Sequence, residues 1–176
     1  RDPRGLVMLH VMDDLDKAVE RLDEKHNVAR INKWTALALK SRAALWEGTW
    51  RVYHADDVFA PKNDPTEFDG KPVELSAEYF LNIAADAAGQ VIDNSGYSLY
   101  NGSGKDMNYR MLFATEDARE DEVMLAILYN YSTLKFGHAF QSKYYEQSIG
   151  FTRRFVNHYL MADGTRFTDR PDADRT

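Results

Sequence analysis

The chain has 176 residues, 44% of them apolar, with no cysteine and a formal charge of −6 at pH 7. That length can bury a sizeable core and fits one domain better than two. The missing cysteine excludes a disulfide framework, a thiolate metal site and a cysteine nucleophile, and a pI near 5.4 with dispersed lysines and arginines argues against a nucleic-acid footprint.

The opening Arg1-Asp2-Pro3-Arg4 has no initiator Met and no signal-like apolar run, so it reads as a mature product or an excised piece. Gly5 to Leu22 is predicted as an amphipathic helix, with Met8, Leu15 and Leu22 at helical period and Asp13, Asp14, Asp16 and Lys17 on a solvated face. Asp23 to Arg30 makes a polar loop, and a helix from Asn32 to His54 returns along the first as a helical hairpin. That second helix is the organising element. Ala36, Leu39, Ala43, Trp46, Trp50 and Tyr53 form its apolar stripe, yet further apolar residues lie outside the stripe, so at least two neighbours must cover it. Trp46 and Trp50 are expected in the core, and Gly48 is expected to have a packing reason.

From Ala55 to Val73, Pro61, Pro65, Gly70 and Pro72 break the helical pattern and predict a long loop. Its His54, Asp56, Asp57, Asn63, Asp64, Glu67 and Asp69 offer oxygen ligands for calcium, but their spacing fits no EF-hand register, and no metal is assigned. A third helix is predicted from about Leu75 to Asp93, with Ser76 as N-cap and Asn94-Ser95-Gly96 as its stop. The glycine-rich Asn101 to Gly104 reads as a turn and not a phosphate loop, and Tyr109 to Phe113 as a short fourth helix packing back on the third. Val123 to Tyr131 fits either a buried strand or a helix, and Gly150 to Leu160 predicts a further helix ending at Asp163-Gly164. The tail after Phe167 is polar and loose.

Residues 132–148 have no clean period and bring aromatic side chains beside amides and charges, the combination that covers the apolar face of a sugar and satisfies its hydroxyls. Tyr144, Tyr145, His138, Gln141 and Phe140 are the candidate ligand-binding residues. No HExxH or GxSxG pattern occurs, and 28 acidic residues supply carboxylate pairs without singling one out, so catalysis is not expected and no cofactor is assigned.

SAEYFLNIAADAAGQVIDNSGYSLY looks like the first helix and exit turn of a tetratricopeptide-type hairpin, and ALALKSRAALWEGTWRVYH like the helix before it. With VMDDLDKAVERL and FVNHYLMADGTRFTDRP, these stretches resemble the SusD/RagB family of Bacteroidetes outer-membrane lipoproteins. The resemblance implies a mainly α fold of tetratricopeptide-like helical hairpins in an α-α superhelix, with the scaffold at about 5–115 and an irregular, loop-rich part at about 116–176. It implies an extended, edge-like segment over Val123 to Tyr131. It also implies cell-surface capture of glycan or another nutrient for a SusC-like TonB-dependent transporter, and a lipid anchor that this chain lacks, as in an internal fragment of a longer protein. The rival expectation is a tetratricopeptide-like protein-interaction module without a small ligand.

Overall fold

The elements of the first unit are α1 (Arg4–Arg21), α2 (Lys33–Tyr53), a hairpin of β1 (Glu67–Phe68) and β2 (Lys71–Pro72), α3 (Ala77–Asn94) and α4 (Asn108–Ala114). The computed structural model describes residues 2–128 and 150–169, and the chain divides into two units, Arg1–Leu128 and Tyr129–Thr176. The fold is mainly helical.

Local chemistry sets the helix ends where the sequence predicts them. Asn32 caps α2: its side-chain oxygen accepts from Thr35 N at 2.9 Å, while its amide donates to Lys25 O at 3.1 Å. Ser76 Oγ accepts from Tyr79 N at 3.0 Å and starts α3, and Gly96, at φ 76°, takes the left-handed conformation after its end. Each cap contributes about 1 kcal/mol.

α2 lies between α1 and α3, as its broad apolar surface predicts, but the buried face is the predicted one only in part: of the stripe, Ala36 is buried and Ala43 packs against the core. Trp34, Leu37, Ala44, Gly48 and Arg51 face inward with Glu47, whereas Leu39, Trp46 and Tyr53 of the predicted stripe are exposed. Small residues explain the choice. A Cβ on Gly48 would stand 2.8 Å from Leu81 Cδ2 of α3, so at Gly48 the two helices lie too close for a side chain. Trp46, expected in the core, is 55% exposed because it lies on the side away from that approach.

Two apolar clusters follow from this packing. Met12 of α1, Ala44 of α2, and Phe80 and Ala84 of α3 form one; Trp34, Leu37 and Ala87 form the other, joined by Val19, Val91, Tyr97 and Met124. Polar bonds fix the register: Ser41 Oγ donates to Ala84 O at 2.8 Å, and Lys40 pairs with Asp16.

The long loop after α2 contains a structure the proline pattern does not announce. Asp69 and Gly70, at φ 51° and 73°, form the two-residue turn of the β1–β2 hairpin. Phe68 meets His10 edge to face at 5.1 Å, which seats the hairpin on α1.

Three other expectations are corrected. α4 exists, but none of its residues is buried, and Tyr109 and Phe113, both exposed, meet each other edge to face at 5.1 Å. Of the segment 123–131, residues 123–128 form no strand or helix, and a backbone bond from Ala126 N to Val28 O at 2.7 Å holds them to the loop between α1 and α2; 129–131 lie outside the described residues. In the second unit the predicted helix is one turn, Arg153–Val156, started by Thr152 Oγ1 accepting from Phe155 N at 3.2 Å. The chain then reverses around Gly164, with an antiparallel bridge between Leu160 and Arg166, and ends its described part in a 3-10 turn at Phe167–Asp169.

Candidate functional site

The sequence-predicted ligand residues His138, Phe140, Gln141, Tyr144 and Tyr145 lie outside the described residues. Among the described residues, exposed aromatic side chains gather at the C-terminal end of α2 and, in the second unit, in the row Phe151–Phe155–Tyr159. Residues four apart on a helix share a face. Trp46 therefore reaches Trp50 (ring centroids 5.5 Å apart, planes at 34°), and Trp50 reaches His54 (4.1 Å, 38°). His54 in turn meets Phe59 edge-on at 5.6 Å, and Tyr53 and Val58 project beside this row, both largely exposed.

The row is held in place by charge. Arg4 at the start of α1 lays its guanidinium 4.7 Å from the Trp46 ring centroid and 4.4 Å from that of Trp50. Its Nε donates to Glu47 Oε2 at 2.8 Å, and Glu47 is fully buried. Arg51 donates to Glu47 Oε1 at 2.9 Å, to Asp64 Oδ2 at 2.6 Å and to Leu75 O at 2.6 Å. Two cations and two carboxylates thus tie α1, α2, the long loop and the start of α3 beneath the aromatic surface.

Two of the loop acids are similarly engaged. Asp64 serves Arg51, and Asp57 Oδ2 accepts from His54 Nδ1 at 2.6 Å while Oδ1 accepts from Phe59 N at 2.7 Å. The hydrogen bond from His54 holds the Asp57 carboxyl below the usual carboxylate range, with the Phe59 amide acting in the same direction. Among the described residues no three His, Asp or Glu side chains converge as metal ligands.

The second unit carries a different surface. A groove of about 650 Å³ is lined by Arg153, Arg154, Asn157, His158, Leu160, Arg166 and Thr168. The sequence reads as dispersed in basic charge because Arg166 is distant from Arg153 along the chain. The turn brings them together: Met161 N donates to Thr165 O at 2.8 Å, Gly164 N to Met161 O at 2.9 Å and Phe167 N to Tyr159 O at 3.2 Å.

Compared with protein-family models, curated proteins and solved structures, the chain matches none of them. No helix among the described residues is long and apolar enough to cross a membrane.

Proposed function

We propose that the chain is a non-catalytic carbohydrate-binding protein of the SusD/RagB type, capturing glycan or another nutrient at the cell surface for a TonB-dependent transporter. The observation that carries this reading is the aromatic row Trp46–Trp50–His54–Phe59, exposed at Trp46 and Phe59 and half-buried at Trp50 and His54. Aromatic faces bury the C–H face of a sugar, and they bind best when little ordering is needed. The Arg4–Glu47 bond beneath the tryptophans supplies that preorganisation. The α1–α2–α3 layer supports a tetratricopeptide-like arrangement of hairpins, the finer architecture that the reading requires.

A second reading has its own support. Leu39, Leu45, Trp46, Val52 and Tyr53 leave the outward side of α2 apolar and exposed, as a helical protein-interaction module would. In the transporter picture that side meets a protein partner, and the aromatic row at its end meets glycan.

Calorimetric titration against a panel of soluble polysaccharides, with the same tubes assayed for new reducing ends, tests the proposal. The expected result is binding without hydrolysis that weakens in Trp46→Ala and in Tyr144→Ala or Tyr145→Ala and persists in Leu39→Glu. New reducing ends would overturn the non-catalytic reading. Absence of binding by the folded chain to every polysaccharide would favour the interaction module.

A further inference from the structure

We infer that the arginine-lined groove of the second unit binds the anionic group, a sulfate ester or a uronate carboxylate, of an acidic glycan. The inference rests on the carbohydrate-binding reading above and narrows its ligand class. Three guanidiniums, from Arg153, Arg154 and Arg166, line a groove of about 650 Å³ together with Asn157, His158 and Thr168. Among the described residues no carboxylate lines it, and none of the three arginines takes part in an ion pair.

Arginines and lysines without an ion pair occur elsewhere among the described residues, Arg21, Arg30 and Arg42 for example, while Arg4, Lys17, Lys33, Lys40 and Arg51 are matched by carboxylates. What distinguishes Arg153, Arg154 and Arg166 is that one groove collects all three, in a protein of formal charge −6, with no carboxylate among its described lining residues. Like charges held together repel, and an anion seated among them removes that repulsion.

The donor chemistry selects the class of anion. Guanidinium is planar, permanently charged and forks onto two oxygens at once, which fits carboxylate and sulfate alike. Asn157 adds an amide for a neighbouring hydroxyl, and the volume lies in the range of small-ligand sites. The Leu160–Arg166 bridge fixes the backbone that brings Arg166 back beside the helical turn carrying Arg153 and Arg154.

The test is calorimetric titration of the full chain with four probes: oligogalacturonate, a sulfated oligosaccharide, a neutral oligosaccharide of equal length, and inorganic sulfate. The triple variant Arg153→Gln/Arg154→Gln/Arg166→Gln is compared with Arg30→Gln, an exposed arginine outside the groove, and circular dichroism verifies the fold. Should the triple variant not fold, each single Arg→Gln variant replaces it. The expected result is preference for at least one acidic oligosaccharide over the neutral one. That affinity falls at least about tenfold in the triple variant, is unchanged in Arg30→Gln and weakens with added salt. Acidic binding equal in the triple variant and the parent would overturn the inference. Binding of the neutral oligosaccharide alone would overturn it and leave the carbohydrate reading standing. Binding of inorganic sulfate with no oligosaccharide would keep the oxoanion site but overturn its glycan source, and binding of none of the probes would overturn both proposals.

Discussion

Glu47 and Arg51, one turn apart on α2, are buried together with relative exposures of 0% and 7%, and meet at 2.9 Å inside the packing layer of α1, α2 and α3. A buried pair of this kind is costly to form and costlier to break. Arg4 and Asp64 complete it with one further charge of each sign, though Arg51 Nη2 and Asp64 Oδ1 are buried without a hydrogen-bond partner. Glu47→Ala is expected to lose about 3–5 kcal/mol, because it removes the buried carboxylate shared by Arg4 and Arg51 and leaves Arg51 with Asp64 as its one ion-pair partner among the described residues. Glu47→Leu combined with Arg51→Met removes both charges and is expected to lose less than Glu47→Ala alone. Urea denaturation of Glu47→Leu, Arg51→Met and the double variant gives the coupling energy directly. A double variant less stable than both singles would show that the pair's charge, and not its packing, holds the layer.

Gly48 sits where α2 meets α3, so Gly48→Ala sets two effects against each other. Alanine gains roughly 1 kcal/mol of helix propensity. Its Cβ, however, would come 2.8 Å from Leu81 Cδ2 and 3.2 Å from the backbone oxygen of Ala77. The backbone atom cannot rotate away, so strain of about 1–3 kcal/mol wins and the variant is destabilised. Adding Leu81→Ala relieves only the side-chain part. Thermal unfolding of the single and double variants separates the two contributions.

The His54–Asp57 bond predicts a pH dependence at the edge of the aromatic row. Asp57 is lowered from the ordinary value of 3.8 first by the hydrogen bond from His54, so its contribution is fully present above that value. It is lost as the pH falls through the lowered folded value, not as the pH rises. A carboxyl NMR titration should therefore place Asp57 below 3.8 and return it toward 3.8 in His54→Ala. An unchanged midpoint in that variant would locate the cause in the Phe59 amide instead.

What was legible in the sequence follows from the range of the interactions involved. Helix ends depend on adjacent residues, so the Ser76 cap and the Asn94-Ser95-Gly96 stop were readable. The buried face of α2 was not, because several of its apolar residues fit any stripe and the choice was made by Gly48 and Ala44 meeting a partner helix. A buried Glu47–Arg51 pair is invisible to a pattern that counts apolar residues. Asp69-Gly70 was a readable hairpin signal, masked by the surrounding prolines. The groove arginines are brought together by a turn between Leu160 and Arg166, and sequence spacing alone separates them.

Trp46 and Phe80 make the sharpest contrast between function and stability. Phe80 is fully buried in the cluster shared by the three long helices, so Phe80→Ala is expected to cost about 3–5 kcal/mol. Trp46 is 55% exposed and packs on Trp50 and Arg4, so Trp46→Ala is expected to cost under about 1 kcal/mol. If the aromatic row binds sugar, Trp46→Ala nevertheless weakens binding by about tenfold, equivalent to roughly 1.4 kcal/mol of lost contact. Arg4→Met then acts through the same surface from beneath: it removes the guanidinium between the rings, leaves Glu47 short of one cation, and lowers both stability and affinity. Parallel denaturation and titration of the three variants separate these roles. Loss of stability without loss of affinity in Arg4→Met would mean that the aromatic row needs no support from the ion network, and the argument from preorganisation would fall.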